Sequence, residues 1–352
     1  MTTALPLIPP FAPLAALGIA VAIDLALAEP PARVHPVALF GSVVGRFDRS
    51  WSHPRLVGVA VAVGLPLAAA AVGGGVVAAA ASVRPAPSVL PVAVAGAILF
   101  TTVSLRMLLA TTAEVVDLTE TDPDAARESV RALAGRDATD LSPADLRSAA
   151  VESAAENLAD GFVAPLGGFA LGAAVGIAVG PTAGVAVGGS GVGLPLAAGV
   201  AGAVWVKAVN TLDSMLGYRS KPVGWASARL DDAVMFLPAR ATAGCLALAA
   251  GPGGSVGTLR RAASWAREPE SPNSGWPMAT GAAALDVRLE KPGHYVLNPG
   301  ASPPSVTDAE RAVRLVGVAG GVAVALAAGW LAAVGWLTAG WISTPAGVIG
   351  WF

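Results

Sequence analysis

Residues 162–206 read FVAPLGGFALGAAVGIAVGPTAGVAVGGSGVGLPLAAGVAGAVWV, without one charged side chain. A helix needs about 20 apolar residues to cross the hydrocarbon layer, so this run is too long for one span and long enough for two. The interruptions "GPTAG" (180–184) and "GGSGVG" (188–193) supply a tight turn between them.

The rest of the chain agrees with that reading. Its 352 residues are 54% hydrophobic and 13% charged, and the mean hydropathy of +0.65 lies well above that of a soluble domain. The sequence therefore predicts an all-α protein, a polytopic integral membrane helical bundle with polar cytoplasmic loops and amphipathic helices, forming a single domain over 1–352. A net charge of −2 without any basic block excludes nucleic acid as a partner. The lone Cys245 excludes an internal disulfide and a cysteine metal cage. The first residues, MTTALPLIPPFAP, hold no Lys or Arg ahead of the apolar run, so the expected N-terminus lacks a cleavable signal and is retained.

Apolar spans are predicted at about 14–28, 56–83, 88–105, 162–180, 190–206 and 315–337. Trp330, Trp336, Trp341 and Trp351 are spaced as interfacial anchors in the last apolar region. Short loops rich in Lys and Arg mark the cytoplasmic side. Residues 29–55 carry Arg33, Arg46, Arg49 and Arg55, and 106–160 carries Arg127, Arg131, Arg136 and Arg147. Residues 207–240 are basic too, whereas 84–88 holds only Arg84 and "GPTAG" holds none. The N-terminus is then outside, and the regions 29–55, 106–160, 207–240 and 260–312 are cytoplasmic. Residues 241–259, broken by "GPGGS", are expected to dip into or pack on the bundle without crossing.

Against this apolar background the polar residues cluster. Glu152, Glu156 and Asp160 recur at i, i+4 and i+8, which puts three carboxylates on one helix face. Their repulsion costs about a few tenths of a kcal/mol per pair, and a hard cation such as magnesium would reverse it. A solvated acidic face explains the same spacing. Lys207, Asn210, Asp213 with Ser214, and Gly217 form a polar stripe on a helix leaving an apolar span. Snorkelling accounts for Lys207, but Asn210 and Asp213 are too short to reach away. A further helix from Ala226 to Leu237 sets Ser227 and Asp231 one turn apart with Arg229 between them. Arg229 offers a fork for phosphate or carboxylate, and Asp231 with Asp232 offers ligands or a proton acceptor, although a local ion pair also explains "RLDD". His35 follows a proline turn after Asp24, an ionisable residue within a predicted span and so a functional candidate. "EPESPNSGWPMA" (268–279) is an irregular loop ending at Trp276, either functional or a connector.

Five stretches, "EPPARVHPVALFG" (29–41), "GRDATDLSPADLRSAAVESAAENLADGFVAPL" (135–166), "KAVNTLDSMLGY" (207–218), "GWASARLDDAVMFLPAR" (224–240) and "SPNSGWPMAT" (271–280), together resemble the cobalamin-biosynthesis CbiB/CobD family of adenosylcobinamide-phosphate synthases, in the family's order. The chain departs from the family at Ala28-Glu29-Pro30, where Gly-Asp-Pro is frequent, and at "RSKPV" (219–223), which is shorter than usual.

The resemblance implies a membrane enzyme that uses ATP to join adenosylcobyric acid to (R)-1-aminopropan-2-ol phosphate or ethanolamine phosphate through an amide. The partners expected are a corrinoid, an amino-alcohol phosphate and the lipid membrane, with room for a homo-oligomer. On that chemistry Lys207, Asp213, Arg229, Asp231 and Asp232 are the expected catalytic residues. Glu152, Glu156, Asp160 and Asp213 are expected to hold magnesium. His35, Asn157, Asn210, Ser214, Asn273 and Trp276 are expected to bind substrate. The competing class is a membrane transporter or channel, with Asp24 and the polar stripe lining a path.

Overall fold

The computed structural model describes residues 11–27, 29–83, 89–134, 138–183, 191–251 and 253–342, and the side chains of 132, 134, 181–183 and 339–342 are outside the description. Arg84, Arg136, Trp351, the side chain of Trp341 and most of the turn at 184–190 therefore lie outside the described residues.

Fourteen α-helices, three short 3-10 or π turns and one hairpin make up the described fold. Among the described residues five helical stretches are long and apolar enough to cross a membrane: Pro54–Ser82, Val89–Thr121, Pro143–Gly180, Gly193–Leu216 and Val306–Thr338. The first helix, α1 (Ala12–Ala26), is apolar but shorter, and α2 (Pro36–Val44) follows it. The long helix α3 (Pro54–Ser82) carries Pro66 in its interior. Helices α4 (Val89–Phe100) and α5 (Leu105–Thr121) act as one apolar stretch broken at 101–104. After the short α6 (Pro123–Ala134) comes α7 (Pro143–Leu158), opened by a capping box in which Ser142 and Asp145 satisfy each other's backbone amides.

The sequence predicts cytoplasmic loops over 106–160, whereas α7 continues through one π turn, Ala159–Val163, directly into α8 (Ala164–Ala183). The acidic residues thus sit on the same rod as the apolar span. Helix α9 (Gly193–Leu216) returns against α8, so the described part of the run at 162–206 holds two packed helices. Their contact is very close. A Cβ at Gly168 would lie 2.7 Å from the Gly202 carbonyl oxygen, and one at Gly176 would lie 2.7 Å from Pro195 Cα. Lipid tails give helices little hydrophobic reason to associate, so backbone approach at small residues supplies the attraction.

Helices α10 (Trp225–Val234) and α11 (Phe236–Ala249) bend by 45° at Met235 and could together make a sixth, broken crossing. Helix α11 packs on α13 (Gly275–Leu285) and α14 (Val306–Ile342) and buries Thr242, Cys245 and Leu246. Helix α12 (Ser255–Ala263) lies between, against α13. The hairpin β1 (Leu289–Lys291) and β2 (Tyr295–Leu297) has no counterpart in the expected all-helical pattern; it turns at Pro292-Gly293, with Gly293 at φ 76° where a side chain would be strained. One large apolar core joins α1, α4, α5, α7, α8, α9, α11, α13 and α14.

Asp24 is buried in α1, and its carboxylate accepts from the Arg106 backbone N–H at 3.2 Å, at the open start of α5. A carboxylate there satisfies an amide that has no intrahelical partner. The residue that suggests a transport path thus has a structural duty.

Candidate acidic pocket

The π turn swings Asp160 toward α9, where the Asn210 amide donates to its carboxylate at 3.1 Å. Wide turns of this type recur at functional positions because they re-aim a side chain within an otherwise regular helix. A cavity of about 210 Å³ opens here, lined by Glu156, Asp160, Asn210, Asp213, Asp231 and Asn273, with Ser214, Ser271 and Ser274 at its wall. Four stretches of the sequence, 156–160, 210–214, 231–239 and 271–277, therefore meet at one place.

The electrostatics are one-sided. Asp231 stands within the fields of Asp160, Asp213 and Asp232, and its buried Oδ1 has no hydrogen-bond partner. The Ser227 hydroxyl, one turn earlier on the same face of α10, is also buried and unpartnered. Carboxylates drawn together out of water repel strongly unless a cation or donor joins them. Lys207 supplies one cation at the edge of the group, acting on Asp160 and on Glu29. The Asp213 carboxylate lies over Gly217, where a Cβ would overlap it.

The irregular segment at 268–274 and the start of α13 form one wall. Asn273 is buried, donates to the Asp232 carbonyl oxygen at 2.8 Å and accepts from Arg240 at 2.9 Å. Arg240 also donates to the Phe236 carbonyl at 2.8 Å and lies over the rings of Phe236 and Trp276. It fastens the loop to α11, a role that sequence reasoning misses although Arg240 closes the "GWASARLDDAVMFLPAR" motif.

The structure places several of the expected site residues away from this pocket. Glu152 is fully buried but outside the pocket: it accepts from the Ser148 hydroxyl at 3.0 Å and the Tyr295 hydroxyl at 2.9 Å. It therefore does not share a cation site with Asp160. Arg229 is exposed and pairs with Asp232 at 3.7 Å, so the local ion pair explains "RLDD" and neither side chain lines the cavity. Asn157 donates to the Leu133 carbonyl at 3.4 Å, tying α7 to α6 instead of facing the pocket. Trp276 packs on the main core under Arg240. His35 caps α2, its Nδ1 accepting from the Val37 N–H at 3.2 Å, and lines a second cavity with Lys207.

The fold and this pocket define a helical membrane protein with a buried acidic centre built from its polar motifs. The family described as CobD/Cbib protein matches residues 17–316. The chain is 33% identical to the probable cobalamin biosynthesis protein CobD of Methanothrix thermoacetophila over 90% of its own length and 96% of that relative's. It is 34% identical to the corresponding probable protein of Methanothermobacter thermautotrophicus (80% and 85% covered) and 37% identical to the cobalamin biosynthesis protein CobD of Rhodobacter capsulatus (80% and 83% covered). No solved structure matches. The chain belongs to the CobD/CbiB family of cobalamin biosynthesis.

Proposed function

We propose that the protein is an ATP-dependent ligase of the cell membrane that forms the amide between adenosylcobyric acid and (R)-1-aminopropan-2-ol phosphate, or ethanolamine phosphate, giving adenosylcobinamide phosphate. The observation that carries this reading is the convergence of Asp160, Asp213 and Asp231, the last with an unpartnered buried oxygen, beside the cation Lys207. Family membership supplies the corrinoid context. The count of basic loop residues favours the cytoplasmic side, where ATP is available.

A carboxylate does not react with an amine at neutral pH, because an oxide would have to leave. Transfer of a phosphoryl or adenylyl group from ATP to the carboxylate oxygen first makes an acyl phosphate with release of ADP, or an acyl adenylate with release of pyrophosphate. The amine lone pair then attacks the acyl carbon, the C–O bond to the activating group breaks, and phosphate or AMP departs. Such transfers depend mainly on positioning and charge neutralisation.

Lys207 neutralises charge on the transferred group, and Asp231 accepts the proton lost by the attacking ammonium. Asn210 holds Asp160, while Asn273, anchored by Arg240, forms the wall against which the phosphate end rests. Magnesium fits these residues. It is commonly bound by one or two carboxylates plus substrate phosphates instead of an all-protein cage, and among the described residues no group of three or more His, Cys, Asp or Glu is arranged as such a cage. Asp160 and Asp213 would hold it, with Glu156 nearby. When bound, it would offset the negative charge of the phosphates.

The test is an assay of the purified protein in detergent. ATP consumption that requires both the corrinoid acid and the amino-alcohol phosphate, with adenosylcobinamide phosphate as product, is the expected result. Consumption without the corrinoid, or none with both substrates and magnesium present, rejects the ligase. Identification of ADP or AMP decides between the two activated acids.

A further inference from the structure

Lys207 lines the cavity in front of Glu29 and stands within the field of Asp160, without being part of the acidic pocket's wall. Among the described residues its ammonium makes no hydrogen bond or ion pair, while its backbone carbonyl accepts from the Thr211 hydroxyl. On the Glu29 side lie two cavities of about 480 and 460 Å³ that share Val37, Thr101, Thr102 and Lys207 in their linings and so adjoin. The first is polar, with Glu29, His35 and Ser104. The second is apolar, walled by Leu39 of α2 and by Leu65, Ala68 and Val72 of α3.

We propose that the two cavities form one docking groove for the corrinoid acid, whose free carboxylate is received by Lys207, while the nucleotide phosphates occupy the acidic pocket on the Asp160 side. This inference rests on the ligase reading and adds where each substrate binds. The argument is one of charge and size. A polyphosphate is held through magnesium on carboxylates, which the acidic pocket supplies in number, whereas the lining of this groove contributes Glu29 alone. A small amino-alcohol phosphate has no use for an apolar wall of this extent. A large ligand with apolar faces, hydrogen-bonding amides at its rim and a single free carboxylate matches apolar surface, hydroxyls and one unpaired ammonium together.

His35 does not compete for the role of base. Its Nδ1 is taken up by the Val37 N–H, so the neutral ring carries its proton on Nε2, 3.8 Å from Glu29. Its place is to fix the polar wall. With the two reactants on either side of Lys207, the acid can be activated without the corrin entering the carboxylate-rich cavity.

Ala68 is exposed on α3, so a bulkier side chain there fills the groove without disturbing buried packing. Equilibrium dialysis of adenosylcobyric acid against the purified full chain, without ATP, is expected to give a dissociation constant about tenfold weaker for Ala68→Trp than for the unmodified protein. ATP binding should be unchanged. Leu39→Trp, on the facing wall, should act in the same direction. Lys207→Met should abolish any preference for the free acid over its neutral amide. Unaltered corrinoid binding in both tryptophan variants overturns the groove assignment alone, and an equal loss of ATP binding in both overturns the division of substrates between the two cavities. Failure of the unmodified protein to bind the corrinoid overturns the ligase reading and the groove with it.

Discussion

Glu152 and Asp160 lie two turns apart on one helical rod, yet their surroundings have little in common. Glu152 is enclosed by hydroxyl donors, Ser148 from its own helix and Tyr295 from the hairpin, and Ser148 in turn accepts from the Glu290 N–H at 2.8 Å. Its carboxylate is a rivet between α7 and the hairpin. Asp160 faces Asp213 and Asp231 across a cavity where one carboxylate oxygen has no partner. Buried polar groups in proteins are nearly always satisfied. The exception is the better pointer to chemistry, and spacing along a helix does not distinguish it from a rivet.

The largest expected effect is at the unsatisfied end of the comparison. Asp231→Asn keeps the shape of the side chain but removes a proton acceptor, and should lower the rate of amide formation by about a hundredfold or more. The melting temperature in detergent should hold or rise, because a like charge leaves the cluster. A rate near that of the unmodified protein would show that the unpartnered oxygen is structural, and the contrast with Glu152 would lose its meaning.

Glu152→Ala probes the other end and should behave in the opposite manner. It removes the carboxylate that accepts from the Ser148 and Tyr295 hydroxyls in a buried site, at a cost of about 1–3 kcal/mol. Unfolding by denaturant should reveal that loss, while the rate per folded molecule changes by less than about threefold. Strong loss of rate with unchanged stability would move Glu152 into the chemistry.

Much of this arrangement is legible in the amino-acid sequence. The charge-free run at 162–206 dictates two packed helices, and the i, i+3, i+4 pattern of Lys207, Asn210 and Asp213 dictates a polar stripe, because both depend only on local periodicity and on the cost of polar backbone in lipid. The continuity of α7 into α8 is not legible: Glu152, Glu156 and Asp160 make the segment look like a cytoplasmic loop helix, and a π turn leaves no mark in composition. Nor is the fate of Glu152, since Tyr295 lies 143 positions away. The same distance problem hides Arg240, whose partner Asn273 is 33 positions off, and the hairpin, whose strands are too short to show alternation.

Arg229 marks the smallest expected effect and the sharpest departure from sequence reasoning. A guanidinium beside two aspartates invites a role in phosphate neutralisation, yet its side chain is 71% exposed and its pairing with Asp232 spans 3.7 Å. Exposed pairs of this kind contribute about 0–1 kcal/mol, so Arg229→Ala should change stability by less than that and the rate by less than about twofold. Lys207 stands within the field of Asp160, and Arg229 is not among the residues that line the acidic pocket. If the substitution instead abolishes activity, α10 must turn its outer face inward when substrates bind. The bend at Met235 would then be a hinge and not a fixed corner, and the contrast between a sealed and an open carboxylate would describe only the state before binding.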